Sequence, residues 1–186
     1  MEEKNNENLS GDYIAGFVDG EGCFALKFRR DVKKNLENGK IRTYFYWGVE
    51  FAIVLRQDDV EILEKIKNIF KCGTITYSNG EVRFSIQNSK SLSEVIIPFF
   101  EKYKLHAKKA KDFLLWQEAV FILNKYRDGT VNSRVGKRGF IKKEIKQEDT
   151  VRLSEIRDSM ITYKSKRPKA FKWKVTWMLL IKNRGR

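Results

Sequence analysis

The chain has 186 residues, 41% hydrophobic and 13% aromatic, which is enough to bury a core and excludes a disordered basic tail. Its formal net charge of +14 calls for a polyanionic partner, nucleic acid before a membrane surface, since no basic amphipathic helix stands apart. Two cysteines in no metal-ligand spacing, a polar acidic start and no apolar run near the ~20 residues that span a bilayer point to a reducing intracellular compartment, with no membrane partner.

Ser10 reads as the N-cap of a helix running to about Gly20, with Asp12 in its first turn. "CFALKFRR" then alternates Phe24, Leu26 and Phe28 against Ala25, Lys27 and Arg29, the period of a half-buried strand. After a charged loop with a turn at Asn38-Gly39, a long strand sets Phe45, Trp47, Val49, Phe51, Ile53 and Leu55 on one face. Arg42, Tyr44, Tyr46, Glu50 and Arg56 take the other. A helix follows, capped by Asp58 or Asp59, striped by Ile62, Leu63, Ile66 and Phe70 and ended by Gly73. Asn79-Gly80 centres a hairpin whose polar face holds Thr76, Ser78, Arg83, Ser85 and Gln87.

Ser91 and Glu94 form a capping box for a helix disturbed at Pro98. A further helix spans roughly 107–126, with the stripe Phe113, Trp116, Val120, Leu123. From Arg127 to Ile145 the pattern fails and a loop is expected; "QEDTVRLSEIRDSM" is one more helix. The tail "KAFKWKVTWMLLIK" fits neither state cleanly. Residues 9–126 read as a core domain and 127–186 as its basic extension. After Ile97 lie 24 of the 38 Lys and Arg but only 9 of the 24 acids, an imbalance suited to phosphate contacts.

The first helix carries glycine at a cost of roughly 1 kcal/mol each. Gly16 and Gly20 are four apart, as are Ala15 and Asp19. Small residues so spaced admit another backbone at close range, and with no second copy in the chain the partner is the same helix of a second subunit. Glu21, between glycines at the helix end, would then face its counterpart, and two carboxylates near a negative helix terminus need a cation. Oxygen ligands favour Mg²⁺ over zinc, with the carbonyls of Gly20 and Gly22 as further donors. The residues alone leave open that Gly16 and Gly20 are ordinary packing glycines and Glu21 a surface acid.

"IAGFVDGEG", Ile14 to Gly22, resembles the motif of the LAGLIDADG homing endonucleases of the single-motif, homodimeric type. The run-up Ser10, Gly11 and Tyr13, the Gln57-Asp58-Asp59 junction, "CGTI", and "KKAKDF" after "PFFEKYKL" extend the resemblance over about residues 9–125. It implies an α+β fold with an αββαββα core, a saddle-shaped antiparallel sheet along the DNA major groove, and a homodimer through the motif helix at Ala15, Gly16, Asp19 and Gly20. It implies Glu21 and the Gly20 carbonyl as ligands of Mg²⁺, with Mn²⁺ or Ca²⁺ able to substitute for binding. Glu21 stands where Asp is commoner, so the carboxylate reaches one methylene further. Asp19 looks structural.

The same resemblance makes Gln57 a water-orienting residue and Lys108 or Lys109 the basic group near the scissile phosphate; spacing does not choose between the lysines. The activity implied is metal-assisted phosphodiester hydrolysis, one strand per subunit, at a near-palindromic double-stranded DNA target. Base reading falls to the outward strand positions Ala25, Lys27, Arg29, Arg42, Tyr44, Tyr46, Glu50, Ala52, Val54, Arg56, Thr76, Ser78, Arg83, Ser85 and Gln87. Arg29, Arg42 and Arg83 suit guanine and Gln87 suits adenine. Two other readings use the same fold: a maturase that binds its intron RNA, and a DNA-binding regulator without cleavage.

Overall fold

The computed structural model describes residues 9–34, 39–126 and 145–162. The first helix, α1 (Gly11–Glu21), starts where the sequence places it: the Ser10 hydroxyl accepts the Tyr13 N–H at 3.1 Å. It passes into strand β1 (Gly22–Lys34) without a loop. Only glycine allows that join, because a Cβ on Gly22 would lie 2.5 Å from Val18 Cγ1 and 2.7 Å from the Val18 carbonyl oxygen.

Strand β2 (Ile41–Arg56) pairs antiparallel with β1 in the register Phe24↔Phe51 and Lys27↔Gly48. A 3₁₀ turn, Gln57–Asp59, leads into α2 (Val60–Phe70), which buries Leu63, Ile66 and Phe70 as the stripe predicts. Its end departs from expectation. Lys71, at φ 52°, takes the left-handed position and donates its N–H to Lys67 O at 2.8 Å, two residues before Gly73. Strands β3 (Thr74–Ser78) and β4 (Glu81–Ile86) meet at Asn79 and Gly80, whose φ of 50° and 77° are those of the expected hairpin turn. The four strands order β1-β2-β4-β3, every pair antiparallel.

The next helical segment begins earlier than the Ser91 and Glu94 pair suggests. Asn88 is the cap, accepting the Lys90 N–H at 2.9 Å, while Ser91 lies inside α3 (Ser89–Ser91) and Glu94 faces Lys90 at 3.9 Å. A π turn, Leu92–Ile96, then widens the helix ahead of α4 (Ile97–Lys102), where Pro98 sits in the first turn and lacks an N–H to give. The disturbance predicted at Pro98 takes this form.

Helix α5 (Lys109–Asn124) buries Phe113, Trp116, Ala119, Val120 and Ile122, and α6 (Gln147–Thr162) lies against it. One sheet face packs on the helices. Phe24 at its centre meets Phe51, Phe100, Phe113 and Trp116 with ring centroids 5.0–5.7 Å apart. Arg152 of α6 grips both Glu118 oxygens at 2.6 and 2.9 Å, and Leu153, Ile156 and Met160 join the core. The Arg157 guanidinium lies 5.7 Å from the Trp47 ring, tying α6 to β2 as well. Leu153→Ala should therefore lower the stability of the whole domain by about 2–5 kcal/mol in one cooperative transition. A denaturant melt shifted by under about 0.5 kcal/mol would mean that α6 is not part of the cooperative unit.

No helix among the described residues is long and apolar enough to cross a membrane. Apart from Ile145, the loop expected at 127–145 lies outside the described residues, as does the tail from 163.

Candidate active site and nucleic-acid interface

Helix α1 has no basic residue in its last turn, so its terminal carbonyls need donors from elsewhere. They come from the start of α5. Lys109 Nζ donates to the carbonyl oxygens of Asp19 and Gly20 at 2.7 and 2.5 Å. Asp19 Oδ2 in turn accepts the backbone N–H groups of His106 and Ala107 at 2.6 and 3.2 Å. These bonds lock the turn before α5 to the end of α1, a structural role for Asp19. Lys108 occupies the N-cap position of α5 and is exposed. Sequence spacing could not separate the two lysines; of the pair, it is Lys109 that bonds to the end of the motif helix.

Glu21 is exposed at the same helix end. Gln57 makes none of these bonds. Gly22 pairs with Ile53, and Gln57 follows four residues later, on the 3₁₀ turn beyond the end of β2. Its backbone N–H binds Gly80 O at 3.0 Å.

The oxygens at this helix end fit a hard divalent cation. Lys109 already places a positive charge on two of the carbonyls, and Glu21, the next residue, is an exposed carboxylate. No three His, Cys, Asp or Glu side chains gather into a cage among the described residues. Mg²⁺ does not need one, since it is commonly held by one or two carboxylates with water and substrate phosphate.

The outward face of the sheet carries the positions expected to read bases. Ala25 pairs with Glu50, Arg29 with Tyr46, Val54 with Arg83 and Ala52 with Ser85, all on that face, and Thr76 stands beside Arg83. Arg42 and Tyr44 hold outward register positions opposite Lys33 and Asp31. Arg56 is tied to Asp58 at 2.6 Å at the strand end, and Ser78 is exposed at the far edge.

Three positions differ from the sequence reading. Ala52 is 1% exposed, closed over by its neighbours, and offers almost no surface. Glu50 is 2% exposed and its oxygens are taken by Lys27, by Arg83 at 2.9 Å and by Gln87 at 2.9 Å. Burial alone would raise its pKa, but these hydrogen bonds outweigh that and hold the carboxyl below its ordinary value. Ala15 is 3% exposed inside the chain's own core, on the side of Ile14 and Val18. At about 100° per residue it cannot share the open face of Gly16.

That open face holds Gly16 and Gly20, where an added Cβ meets nothing within 4 Å. Beside them Tyr13, 49% exposed, stacks on Phe17 with centroids 6.2 Å apart. The sequence reading passed over this aromatic pair, although its four-residue spacing was a signal for one face. Cys23 was missed too: it is exposed on the outward sheet face, next to Gly22 and opposite Ala52.

A helix ending in a carboxylate at the edge of a basic, antiparallel four-stranded sheet defines the class. The LAGLIDADG endonuclease family matches residues 14–120, and the chain belongs to it. A probable intron-encoded endonuclease of Neurospora crassa is 30% identical over 118 residues, 62% of this chain and 25% of that protein. The first curated relatives are longer proteins, of which this chain spans 25–38%. The fold is shared with the crystal structure of the homing endonuclease I-TnaI, at 24% identity and a TM-score of 0.62, covering 82% of this chain and 88% of that one. It is shared also with I-LtrWI bound to target DNA, at 23% identity and a TM-score of 0.62, over 82% of this chain and 44% of that one.

Proposed function

We propose that the protein is a site-specific DNA endonuclease that makes Mg²⁺-dependent double-strand breaks at a long near-palindromic target, in intron or intein homing inside the cell. The feature that supports this reading is the end of α1, where the Lys109 ammonium donates to the Gly20 carbonyl and Glu21 is the next, exposed residue. Two chains related by a two-fold axis through the open face of α1 would set two such clusters side by side. Two sheets would then read two half-sites.

Glu21 and the Gly20 carbonyl would hold the metal, which supplies a water of lowered pKa and charge neutralisation at the phosphate. Lys109 adds a fixed positive charge for the negative charge that develops on the phosphate in the transition state. Asp19, by anchoring residues 106 and 107, sets where that ammonium stands. Gln57, exposed on the 3₁₀ turn after β2, would orient water near the metal. The basic second half of the chain would add phosphate contacts.

The test is a cleavage selection on a randomised duplex library with Mg²⁺ and with EDTA. Magnesium-dependent ends at a near-palindrome are expected, lost at least about 100-fold in Lys109→Met and little changed in Lys108→Met. Binding without ends would favour a regulator, and enrichment of RNA over duplex DNA would favour a maturase.

A further inference from the structure

A carboxylate at the middle of a surface meant for a polyanion opposes its own function, since phosphates repel it. Glu50 is nevertheless there, at the centre of β2 on the outward face and almost fully withdrawn from water. Its two oxygens bring together Lys27 from β1, Arg83 from β4 and Gln87 just beyond the end of β4. Lys27 and Arg83 share Oε2, and Gln87 donates to Oε1.

The reach of Arg83 is informative. Its backbone is level with Val54, and the Ser85–Ala52 pair lies between that level and Glu50. The guanidinium therefore runs along the strands across two small residues to meet the carboxylate. Nη2 makes the ion pair at 2.9 Å, and a guanidinium carries five N–H donors in its fork. Lys27 and Arg83 each keep 37% of their side chain exposed, while the Glu50 side chain keeps 3%.

We propose, resting on the DNA-cleaving function above, that Glu50 is a positioning residue for sequence recognition: it fixes Lys27, Arg83 and Gln87 in one arrangement that sets base preference. Rotamer freedom that these chains would lose on binding is already lost in the free protein. A buried carboxylate stripped of its partners is strongly unfavourable, so the arrangement persists when DNA binds. An arginine held by an acid from below also presents its fork in one orientation, which a bidentate guanine contact requires.

The experiment is a binding selection on a randomised duplex library in Ca²⁺, with the full chain, comparing wild type with Arg83→Ala, Glu50→Gln, the double variant and Lys27→Gln. Arg83→Ala locates the base pair that Arg83 reads, where roughly 5- to 100-fold discrimination is expected in the wild type. Glu50→Gln should reduce preference at that same pair to within about threefold although Arg83 is intact, and should relax adjacent pairs. The double variant should be no worse there than either single one. Binding to unselected duplex should tighten, because a negative charge is gone.

An unchanged pattern in Glu50→Gln with a uniform change in affinity would overturn the proposal. So would a change at a single pair that Arg83→Ala leaves alone, since Glu50 would then be a direct reader. Should Glu50→Gln fail to fold, Lys27→Gln decides: altered preference at the Arg83 pair supports the coupling, and an unaltered one overturns it. Wild-type protein that enriches no sequence would overturn this inference together with the DNA-reading function, whereas wild-type enrichment with unaffected variants removes the inference alone.

Discussion

Glu21→Gln should abolish cleavage, by at least about 1,000-fold, while target binding stays within about threefold. The argument rests on what the substitution leaves in place. Glu21 is exposed at the end of α1 and takes no part in the bonds that join this helix to α5, which run through Asp19, Gly20 and Lys109. The amide keeps the shape and removes the charge that a hard cation requires. Circular dichroism and the denaturation midpoint should be unchanged. The DNA contacts proposed for the sheet lie on other elements, so a filter-binding titration in Ca²⁺ should overlay the wild type. Retained cleavage would exclude Glu21 as the metal ligand. A parallel loss of binding would show that the carboxylate supports the interface and not the chemistry.

Gly20→Leu is expected to separate association from folding. In the isolated chain a side chain at Gly20 meets nothing within 4 Å, so the fold should tolerate it; the helix interior should even gain propensity, about 0.8–1.0 kcal/mol for losing glycine. Across a two-fold helix crossing the same side chain would occupy the space of the partner's backbone and force the helices apart. Sedimentation should therefore report a folded monomer, with cleavage of both strands lost by at least about 100-fold. An unchanged sedimentation coefficient would place the dimer contact elsewhere. Gly16→Leu should act in the same way, because Gly16 is equally open. Ala15, buried against Ile14 and Val18, should instead report on the stability of the monomer.

Much of this was legible without coordinates, for reasons that are local. Ser10 caps α1 because a hydroxyl three residues ahead of an N–H needs nothing distant. Period-two alternation in β1, β2 and β4 assigned the inner and outer faces correctly, and Asn79-Gly80 made the turn that its residues allow. Where local signals misled, a competing local interaction won. Asn88 took the cap from Ser91, and Lys71 adopted the left-handed position that Gly73 was expected to supply. Composition and motif together were enough for the α+β class and the family.

Tertiary packing decided what depends on separations the chain does not record. Lys108 and Lys109 are adjacent in sequence, but a helix turns about 100° between them, and the anchoring of the turn before α5 to Asp19 leaves the Lys109 ammonium on the Asp19 and Gly20 carbonyls. Ala15 and Gly16 differ by the same rotation, so one lies in the core and the other on the open face. Glu50 reads in sequence as one more outward polar residue. Its partners are 23, 33 and 37 positions away, on or just beyond strands whose register is set by the hydrophobic face beneath them. The sequence by itself determined which residues face outward and which chemistry ends the first helix. Which of them meet was decided by the fold, because hydrogen bonds and ion pairs act over a few ångströms of space and take no account of distance along the chain.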